Sequence, residues 1–575
     1  MPLNLASPGI QVREVDLTIG RVDATSGSIG ALVAPFTKGP VEEAQLIESE
    51  EDLLQTFGQP YSVDKHYEYW MVASSFLAYG GTLQVIRAGD TGLKNANVGI
   101  LTAGAAPLIK SNTHYNQLGY DENTITGVTI AAKTPGTYAN GILVSIIDAK
   151  ADQILTVSGI STVGLGITQS AAGRIVAGAG GTSVLDGCIK GVVTEVGTGN
   201  VSVKVLQHVS TAGTVTNVDY QNGGVYNFTT GIVGVATGIG NTTNSYNGGQ
   251  VGLALTQTVT TVNDWFESQE IVLTSKDANG NNNKLEWDQL ADAPSTSTYA
   301  ASRGGRFDEV HVVVIDDKGL VTGNTGTILE KHLSLSKAKD GEYSVGSTSY
   351  WRKYLATNSK YIYGGGAPAG ITTSGFTSGT ATLFGSLDTD SGWDQNAENV
   401  NFGVSGVFTG SLDGGKNYGG KSDYTTVGAL NSGVDDLISG YELFSNKEEI
   451  EVDFILMGAA HHTKEQSQAV AEKCIAVAEA RKDAVAFISP YRQAFLNDSV
   501  SGSVTVNNID TVTTNVVSFF APITSTTFGV FDSGYKYMFD RFNNTFRYVP
   551  LNGDIAGTCA RTDICLLYTS DAADE

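Results

Sequence analysis

The charged residues of this chain are distributed very unevenly, and this feature constrains the fold more than any other. Between Val98 and Asn263, 166 residues include only 13 charged side chains, whereas the other 409 residues carry 81 of them and nearly all of the net charge of −24. The stretch from Tyr220 to Asn263 has no charged side chain at all. The sequence therefore predicts at least two parts with different surroundings.

The segment with few charges has the pattern of β structure. Alternating runs such as Ile125–Ile130 and Val201–Val205 are separated by Gly, Asn and Thr. Short alternating runs with frequent turn residues are typical of sandwiches and barrels. We therefore predict two β-rich, sandwich-like or barrel-like insertion domains, over residues 98–190 and 191–300.

The flanking sequences instead predict helices and buried strands. Ser49 and Gly58 have the residue types and spacing of the two caps of a short helix, and a second helix is predicted over 65–79, followed by a strand over 82–88. The β-branched run at 310–315 predicts a strand that is buried on both faces. An amphipathic helix is predicted near residues 327–339.

The clearest pattern in the flanks is a strand, a helix and a second strand. The first strand is predicted at 452–458, the helix begins after Thr463 with Gln466 in the reciprocal capping position, and the second strand is predicted at 484–488. Such a short strand–helix–strand sequence is a βαβ unit, whose two strands are parallel.

Together the flanks predict one α/β core, with a mixed sheet, helices and βαβ units, that is interrupted by the β-rich insertion. The first part of this core covers residues 21–97 and the second part covers residues 301–563. Near the end of the second part, residues 528–549 predict a β-hairpin that turns at Asn543 and Asn544.

The composition argues against several classes of partner. A net charge of −24 disfavours direct binding to nucleic acid or to an anionic membrane, because both attract Lys and Arg. No run of 18 apolar residues occurs, so membrane insertion is not expected. The four cysteines form no CxxC pair, and therefore neither a disulfide framework nor a zinc site is indicated.

Four motifs resemble chemical sites, and each has a simpler explanation. Residues 415–422 match the phosphate-binding P-loop pattern, but no buried strand precedes them and no amphipathic helix follows. The acidic stretches 277–288 and 388–394 resemble partial calcium loops but suit turns better. His461 and His462 lie between a strand and a helix cap, without a third ligand cluster. We predict no catalytic, cofactor-binding or metal site.

The amino terminus carries the most informative pattern. A strand pattern with one phase slip, which indicates a bulge, is followed by a polar segment over residues 18–30. One interpretation is an ordinary edge strand; the other is an N-terminal extended arm over residues 1–20, which adds a strand to the sheet of a neighbouring subunit. The residues assigned to this linking arm are Pro8, Gly9, Ile10, Val12, Val15 and Leu17.

The sequence resembles the tail sheath proteins of contractile-tailed bacteriophages (myoviruses). The resemblance covers roughly residues 1–95 and 296–563, and the insertion resembles the family in position and β character rather than in residues. The strings that carry it occur in the family's order: 7–12 (SPGIQV), 56–60 (TFGQP), 76–81 with 85–88, 308–316 (DEVHVVVID), 433–436, 531–537 (FDSGYKY), 552–557 (NGDIAG) and 560–563 (ARTD).

The resemblance implies a non-enzymatic virion protein that needs no cofactor. Such proteins stack as hexameric rings around the tail tube, and their lattice contracts to drive the tube through the host envelope. The implied partners are further copies of the chain, the tail tube protein, and the baseplate and tail terminator proteins. The implied location is the virion tail, after assembly in the host cytoplasm, with arms that link subunits by strand exchange.

The carboxyl end departs from the family. Residues 564–575 resemble nothing in it, whereas family members continue beyond the segment that ends at Asp563. We therefore expect a truncated reading frame. Two other functions remain open from the sequence: a surface adhesin or carbohydrate-binding β-rich protein, which requires an aromatic-lined cleft in the insertion, and a nucleotide-dependent enzyme that uses residues 415–422.

Overall fold

A computed structural model gives the fold of two compact units, which are described separately. The first unit comprises Met1–Thr91 and Tyr418–Glu575, and the second comprises Gly92–Asn417. The residues that the structure describes are 28–60, 66–99, 106–170, 176–178, 181–183, 187–210, 212–235, 255–368, 393–418, 432–461, 463–498 and 504–562.

The first unit is built on a six-stranded sheet, called the central sheet below. Its first strand is antiparallel to its neighbour and the other five strands are parallel. Across the sheet, the strands are Ala44–Ile47, Thr82–Arg87, Ile29–Ala34, Phe454–Leu456, Val485–Ile488 and Gly529–Phe531.

Helices cover both faces of the central sheet. On one face lie Glu50–Phe57, His66–Leu77 and residues 552–562; on the other lie Val434–Glu442, Lys464–Arg481 and Ile509–Phe520. Alternate residues of a strand point to opposite faces, and accordingly Leu32 joins the first apolar cluster while Val33 joins the second. The unit also contains the helix Arg492–Phe495, the 3₁₀ turn Leu443–Ser445 and two ribbons, Leu496–Asp498 with Val504–Val506 and Tyr535–Asp540 with Thr545–Pro550.

The second unit contains an eight-stranded antiparallel sheet that curls into a barrel-like form. The strands at the two ends of its order, Leu255–Val259 and Thr261–Asp264, are separated in the chain by Thr260 alone, which brings the two edges together. Between them lie Gly231–Val235, Gly166–Ser170, Cys188–Val196, Asn200–Val209 and Gln153–Thr156, and Val215–Asn217 pairs with Asn200–Val209.

Smaller sheets complete the second unit. One contains Thr327–Ser336, Glu309–Asp316, Ile142–Asp148 and Val407–Ser411, and another contains Ile362–Gly364, Ile130–Ala132 and Asn97–Val98. The two-stranded sheets are Val176–Gly178 with Gly181–Ser183, Glu270–Lys276 with Asn282–Glu286, and Glu342–Ser344 with Ser347–Thr348. The helices are Asn112–Gln117, Thr298–Ala301 and Trp351–Asn358, with 3₁₀ turns at Thr137–Ala139, Phe266–Ser268 and Trp287–Gln289.

Two predicted helices have the caps that the sequence indicated. Ser49 accepts a hydrogen bond from the Asp52 backbone N–H, and Gly58 ends that helix with a φ of 85°. Thr463 and Gln466 form the predicted reciprocal capping box of the helix Lys464–Arg481. No helix in the described ranges is both long enough and apolar enough to cross a lipid bilayer.

The predicted helix near 327–339 is wrong. The strand Thr327–Ser336 occupies that position and pairs antiparallel with Glu309–Asp316, with two register shifts. The buried strand Glu309–Asp316 needs hydrogen-bonding partners on both sides, and this long-range requirement overrides the local helical pattern.

The structure also divides the chain differently from the predicted domain limits. Residues 301–417, predicted as part of the core, belong to the second unit, because Glu309–Asp316 pairs with Ile142–Asp148. The predicted limit between 190 and 191 falls inside the strand Cys188–Val196, so the barrel-like sheet extends across both predicted insertion domains.

Buried His66 makes the stability of this protein dependent on pH. Burial, and the nearby Arg87 charge, lower the pKa of His66 to about 3 from its usual 6.5. The unfolded chain therefore takes up a proton below pH 6.5 that the folded chain does not, and stability falls with the pH down to about 3. From pH 7 to pH 4.5, His66 alone is expected to remove about 2–3 kcal/mol of the free energy of unfolding. Urea denaturation at both pH values should show a smaller loss in H66Q; an equal loss contradicts this assignment.

Candidate functional site

The predicted chemical motifs form ordinary structural contacts where the structure describes them. Asp277 accepts hydrogen bonds from the backbone N–H groups of Asn279 and Asn281 in the turn of a hairpin. His461 is buried, with Nδ1 3.0 Å from Gln466 Oε1 and Nε2 3.0 Å from the Ser432 carbonyl oxygen. His462 lies outside the described residues.

The remaining motif residues are also engaged locally. The Gly415 backbone N–H and C=O both bond the Asn140 side chain, at 2.8 and 2.9 Å, instead of being open to a phosphate. Asp394 accepts from the Tyr350 hydroxyl and pairs with Arg352 at 2.9 Å. Residues 388, 390 and 419–422 lie outside the described residues. Among the described residues, no group of three His, Cys, Asp or Glu is placed to hold a metal ion.

The carboxyl ends of the parallel strands are the usual ligand site of an α/β sheet. Asn552 occupies this region: its Nδ2 donates to the Gly458 carbonyl oxygen at 2.8 Å and to Ser489 Oγ at 2.9 Å. Ser489 Oγ in turn donates to Asp532, whose pKa is raised to about 6 by burial. Side chains of the protein itself thus satisfy the polar groups that follow three of the parallel strands.

Exposed apolar side chains are concentrated in one segment of the first unit. Eighteen large apolar side chains are exposed in the described part of the chain, and half of them lie within residues 504–546. Apolar side chains in contact with water are unfavourable unless a partner covers them. This concentration therefore indicates an interaction surface rather than a catalytic site.

The ribbon of Tyr535–Asp540 and Thr545–Pro550, called the aromatic ribbon below, has four aromatic rings on its outer face. In its register Tyr537 lies opposite Tyr548 and Phe539 lies opposite Phe546. The Tyr537 and Phe546 rings are stacked with centroids 5.1 Å apart, and 60% and 57% of the two residues, respectively, are exposed. In the described part of the chain, neither outer edge of this ribbon pairs with a further strand.

The inner face of the aromatic ribbon is fixed to the first unit. Val549 is buried in the core, and the Phe542 ring packs edge-on against Trp70 at 4.9 Å. Lys536 Nζ donates to Ser75 Oγ at 2.7 Å and to Asp554 at 2.8 Å. The ribbon is therefore a rigid platform with four rings on its outer face. At one of its edges the Tyr548 carbonyl oxygen accepts from Arg492 of the same unit at 3.5 Å.

Sequence reasoning did not identify this platform. It predicted a hairpin over 528–549 and placed the turn correctly, since Asn544 adopts a positive φ of 50° there. The hairpin itself begins only at Tyr535, because Gly529–Phe531 pairs with Val485–Ile488 as the edge strand of the central sheet. The alternation of Tyr535, Tyr537 and Phe539 was a usable signal, but it does not show which face of the hairpin is covered. The predicted arm, with Ile10, Val12, Val15 and Leu17, lies outside the described residues.

Known proteins that resemble the chain share one description. No family model matches the chain. Three curated relatives, each aligned over 98% of the chain, are the tail sheath proteins of Enterobacteria phage T4 (24% identical), Vibrio phage KVP40 (25%) and Salmonella phage ViI (22%). The chain is a homologue of phage tail sheath proteins. The alignments cover 73%, 74% and 72% of these three sheath proteins.

Two solved structures of sheath tail proteins also match this tail sheath homologue weakly. The protein from Listeria innocua has a TM-score of 0.14 and 15% identity, over 42% of this chain and 35% of its own. The protein from Desulfitobacterium hafniense has a TM-score of 0.13 and 14% identity, over 44% of this chain and 38% of its own.

The two faces of the aromatic ribbon should respond differently to substitution. In this sheath homologue F546S should change the free energy of unfolding by about 1 kcal/mol or less, since the ring is more than half exposed and loses mainly its aromatic contacts. V549A, on the buried inner face, should cost about 2 kcal/mol through the cavity that it leaves. Urea denaturation of both variants measures this. A larger loss in F546S would show that the outer face serves folding.

Proposed function

We propose that this protein is the structural subunit of a contractile phage tail sheath, which forms stacked hexameric rings around the tail tube and contracts to drive the tube through the host envelope. The alignment with three tail sheath proteins over 98% of the chain carries this proposal. The proposed partners are further copies of the chain, the tail tube protein, and the baseplate and tail terminator proteins. The proposed location is the virion tail, after assembly in the host cytoplasm.

The proposed link between subunits is the arm of one copy added to the aromatic ribbon of another. Two-stranded ribbons are marginal in water, and a third strand satisfies backbone groups at an open edge. The pattern Ile10, Val12, Val15, Leu17 offers apolar side chains on a strand of similar length to the six-residue ribbon strands. These side chains could pack on the aromatic rings while main-chain hydrogen bonds give affinity.

The linker behind the arm makes an exchange between copies feasible. Ten residues, 18–27, separate Leu17 from the first described residue, and a fully extended chain of that length spans about 33 Å. A short strand on such a linker can stay attached to its neighbour while the rigid units change their relative positions. The proposed contraction requires this behaviour, since neighbouring subunits must move without separating.

The absence of a catalytic role is also part of the proposal. It is supported by the Asn552 side chain, which occupies the region at the carboxyl ends of the parallel strands where α/β enzymes bind their ligands. A sheath subunit needs its sheet as a rigid support and not as a reaction site.

The alternative of a carbohydrate-binding protein has less support. A pocket of the second unit is lined in part by Tyr220, Trp265 and Phe266, but the two latter residues are buried. The Tyr220 hydroxyl donates to Asp264 at 3.0 Å, and Lys204 pairs with Asp152 at 2.6 Å. The polar groups therefore bond one another, and no flat exposed ring pair is offered to a sugar among the residues that line this pocket.

The proposed arm contact is tested by placing one charge on either side of the arm. V12D should prevent striated tubes or rings in negative-stain electron microscopy, because it places a charge against the aromatic ribbon. Q11D adds the same charge at a position of the opposite phase and should assemble like the wild type. Assembly of V12D equal to that of Q11D would falsify the arm contact.

A further inference from the structure

A second apolar surface of the first unit lies outside the aromatic ribbon. It is formed by the strand Val504–Val506, the helix Ile509–Phe520 and the edge strand Gly529–Phe531. We call it the charge-poor surface, because Asp510 is the only charged residue between positions 504 and 531. Its exposed apolar side chains are Val504, Val506, Ile509, Val517 and Phe531.

The helix Ile509–Phe520 contributes little to its own core. Phe519 is its one fully buried residue, whereas Ile509 is 79% and Val517 63% exposed. A helix on the surface of a domain normally buries its apolar stripe and exposes polar residues. Here the apolar side chains on the outer side indicate that something else covers this helix.

The three elements form one continuous surface. Asn508 caps the helix by accepting from the Thr511 N–H at 2.9 Å, so that Ile509 begins the helix three residues after Val506. At the other end, the Phe520 ring stacks on Phe531 of the edge strand with centroids 4.6 Å apart. The exposed apolar side chains therefore follow one another from the ribbon strand to the sheet edge.

The edge strand adds unpaired backbone groups to this surface. The Phe528 carbonyl oxygen accepts from Ala486 and the Asp532 N–H donates to Ile488, so these groups face the neighbouring strand. By the alternation of a parallel strand, the backbone groups of Gly529 and Phe531 face outward. The surface thus offers hydrogen-bonding groups as well as apolar side chains.

We infer that the charge-poor surface docks onto a second copy of this chain, as a contact separate from the arm and the aromatic ribbon. This inference rests on the proposed sheath function. Two copies with a net charge of −24 each repel one another, so that contact is least unfavourable where almost no charge is present. A surface without Lys or Arg has nothing to attract nucleic acid or an anionic lipid.

The size of the surface fits such a contact. The exposed fractions of its five apolar side chains amount to about 500 Å², which lies within the range of the largest apolar patch on a monomer. A standard interface covers roughly 800 Å² per partner, so these side chains alone account for more than half of one. Since contact between two identical surfaces ends at a dimer, a ring or stack requires a different surface on the second copy.

The test adds one negative charge to the surface. I509D and V517D should each weaken self-association at least 10-fold in sedimentation velocity and abolish tubes or rings in electron microscopy. V345D, at a 99% exposed site of the second unit, adds the same charge and should associate like the wild type. Folding of the variants is checked by circular dichroism and urea denaturation, and I509D should fold normally because a carboxylate in the first turn favours a helix.

The outcomes separate this inference from the proposed function. If I509D and V517D are folded and associate as V345D does, the charge-poor surface is not a contact between copies, while the sheath function is unaffected. A wild-type chain that remains monomeric at all concentrations overturns both. V12D should retain a weak association that the double variant V12D/V517D loses, because the two contacts are separate. Loss of all association in V12D alone contradicts that separation.

Discussion

Backbone hydrogen bonding at strand edges is the constraint on which the account of this protein depends. A strand with a neighbour on one side only leaves its other N–H and C=O groups to solvent, and such edges attract further strands. In the first unit the aromatic ribbon and the strand Gly529–Phe531 both have an open edge in the described part of the chain, and both lie beside exposed apolar side chains. Contacts between copies would pair the open backbone groups and cover the exposed apolar side chains at the same time.

The edges of the barrel-like sheet in the second unit are arranged differently. Its barrel-like sheet brings its two end strands together through Thr260, which leaves little edge to recruit another strand. The segment of the second unit that has few charged residues forms this barrel-like sheet. In the first unit, residues 504–531 also have few charged residues, but they include a strand with an open edge. A low number of charged residues therefore does not by itself indicate an interface. In residues 504–531 it supports the proposed interface because exposed apolar side chains and an open strand edge lie in the same segment.

Local features were predictable from the sequence and long-range pairing was not. The caps at Ser49 and Thr463 depend on residues within three positions, and the structure has them as predicted. The strand Thr327–Ser336 was mistaken for a helix because its state is decided by pairing with Glu309–Asp316. Similarly, the outward face of the aromatic ribbon depends on contacts such as that of Lys536 with Ser75, 461 residues earlier in the chain. Such contacts leave no periodic signal in the ribbon's own sequence.

The central claim is that copies of this chain join by adding a strand of one copy to an open strand edge of another. Hydrogen exchange on assembled and unassembled protein tests this claim most directly. We expect the amides of residues 10–17, together with the outward amides of one strand of the aromatic ribbon, to become protected when tubes or rings form. Assembly in which the arm and both ribbon edges exchange as fast as in the monomer would contradict it.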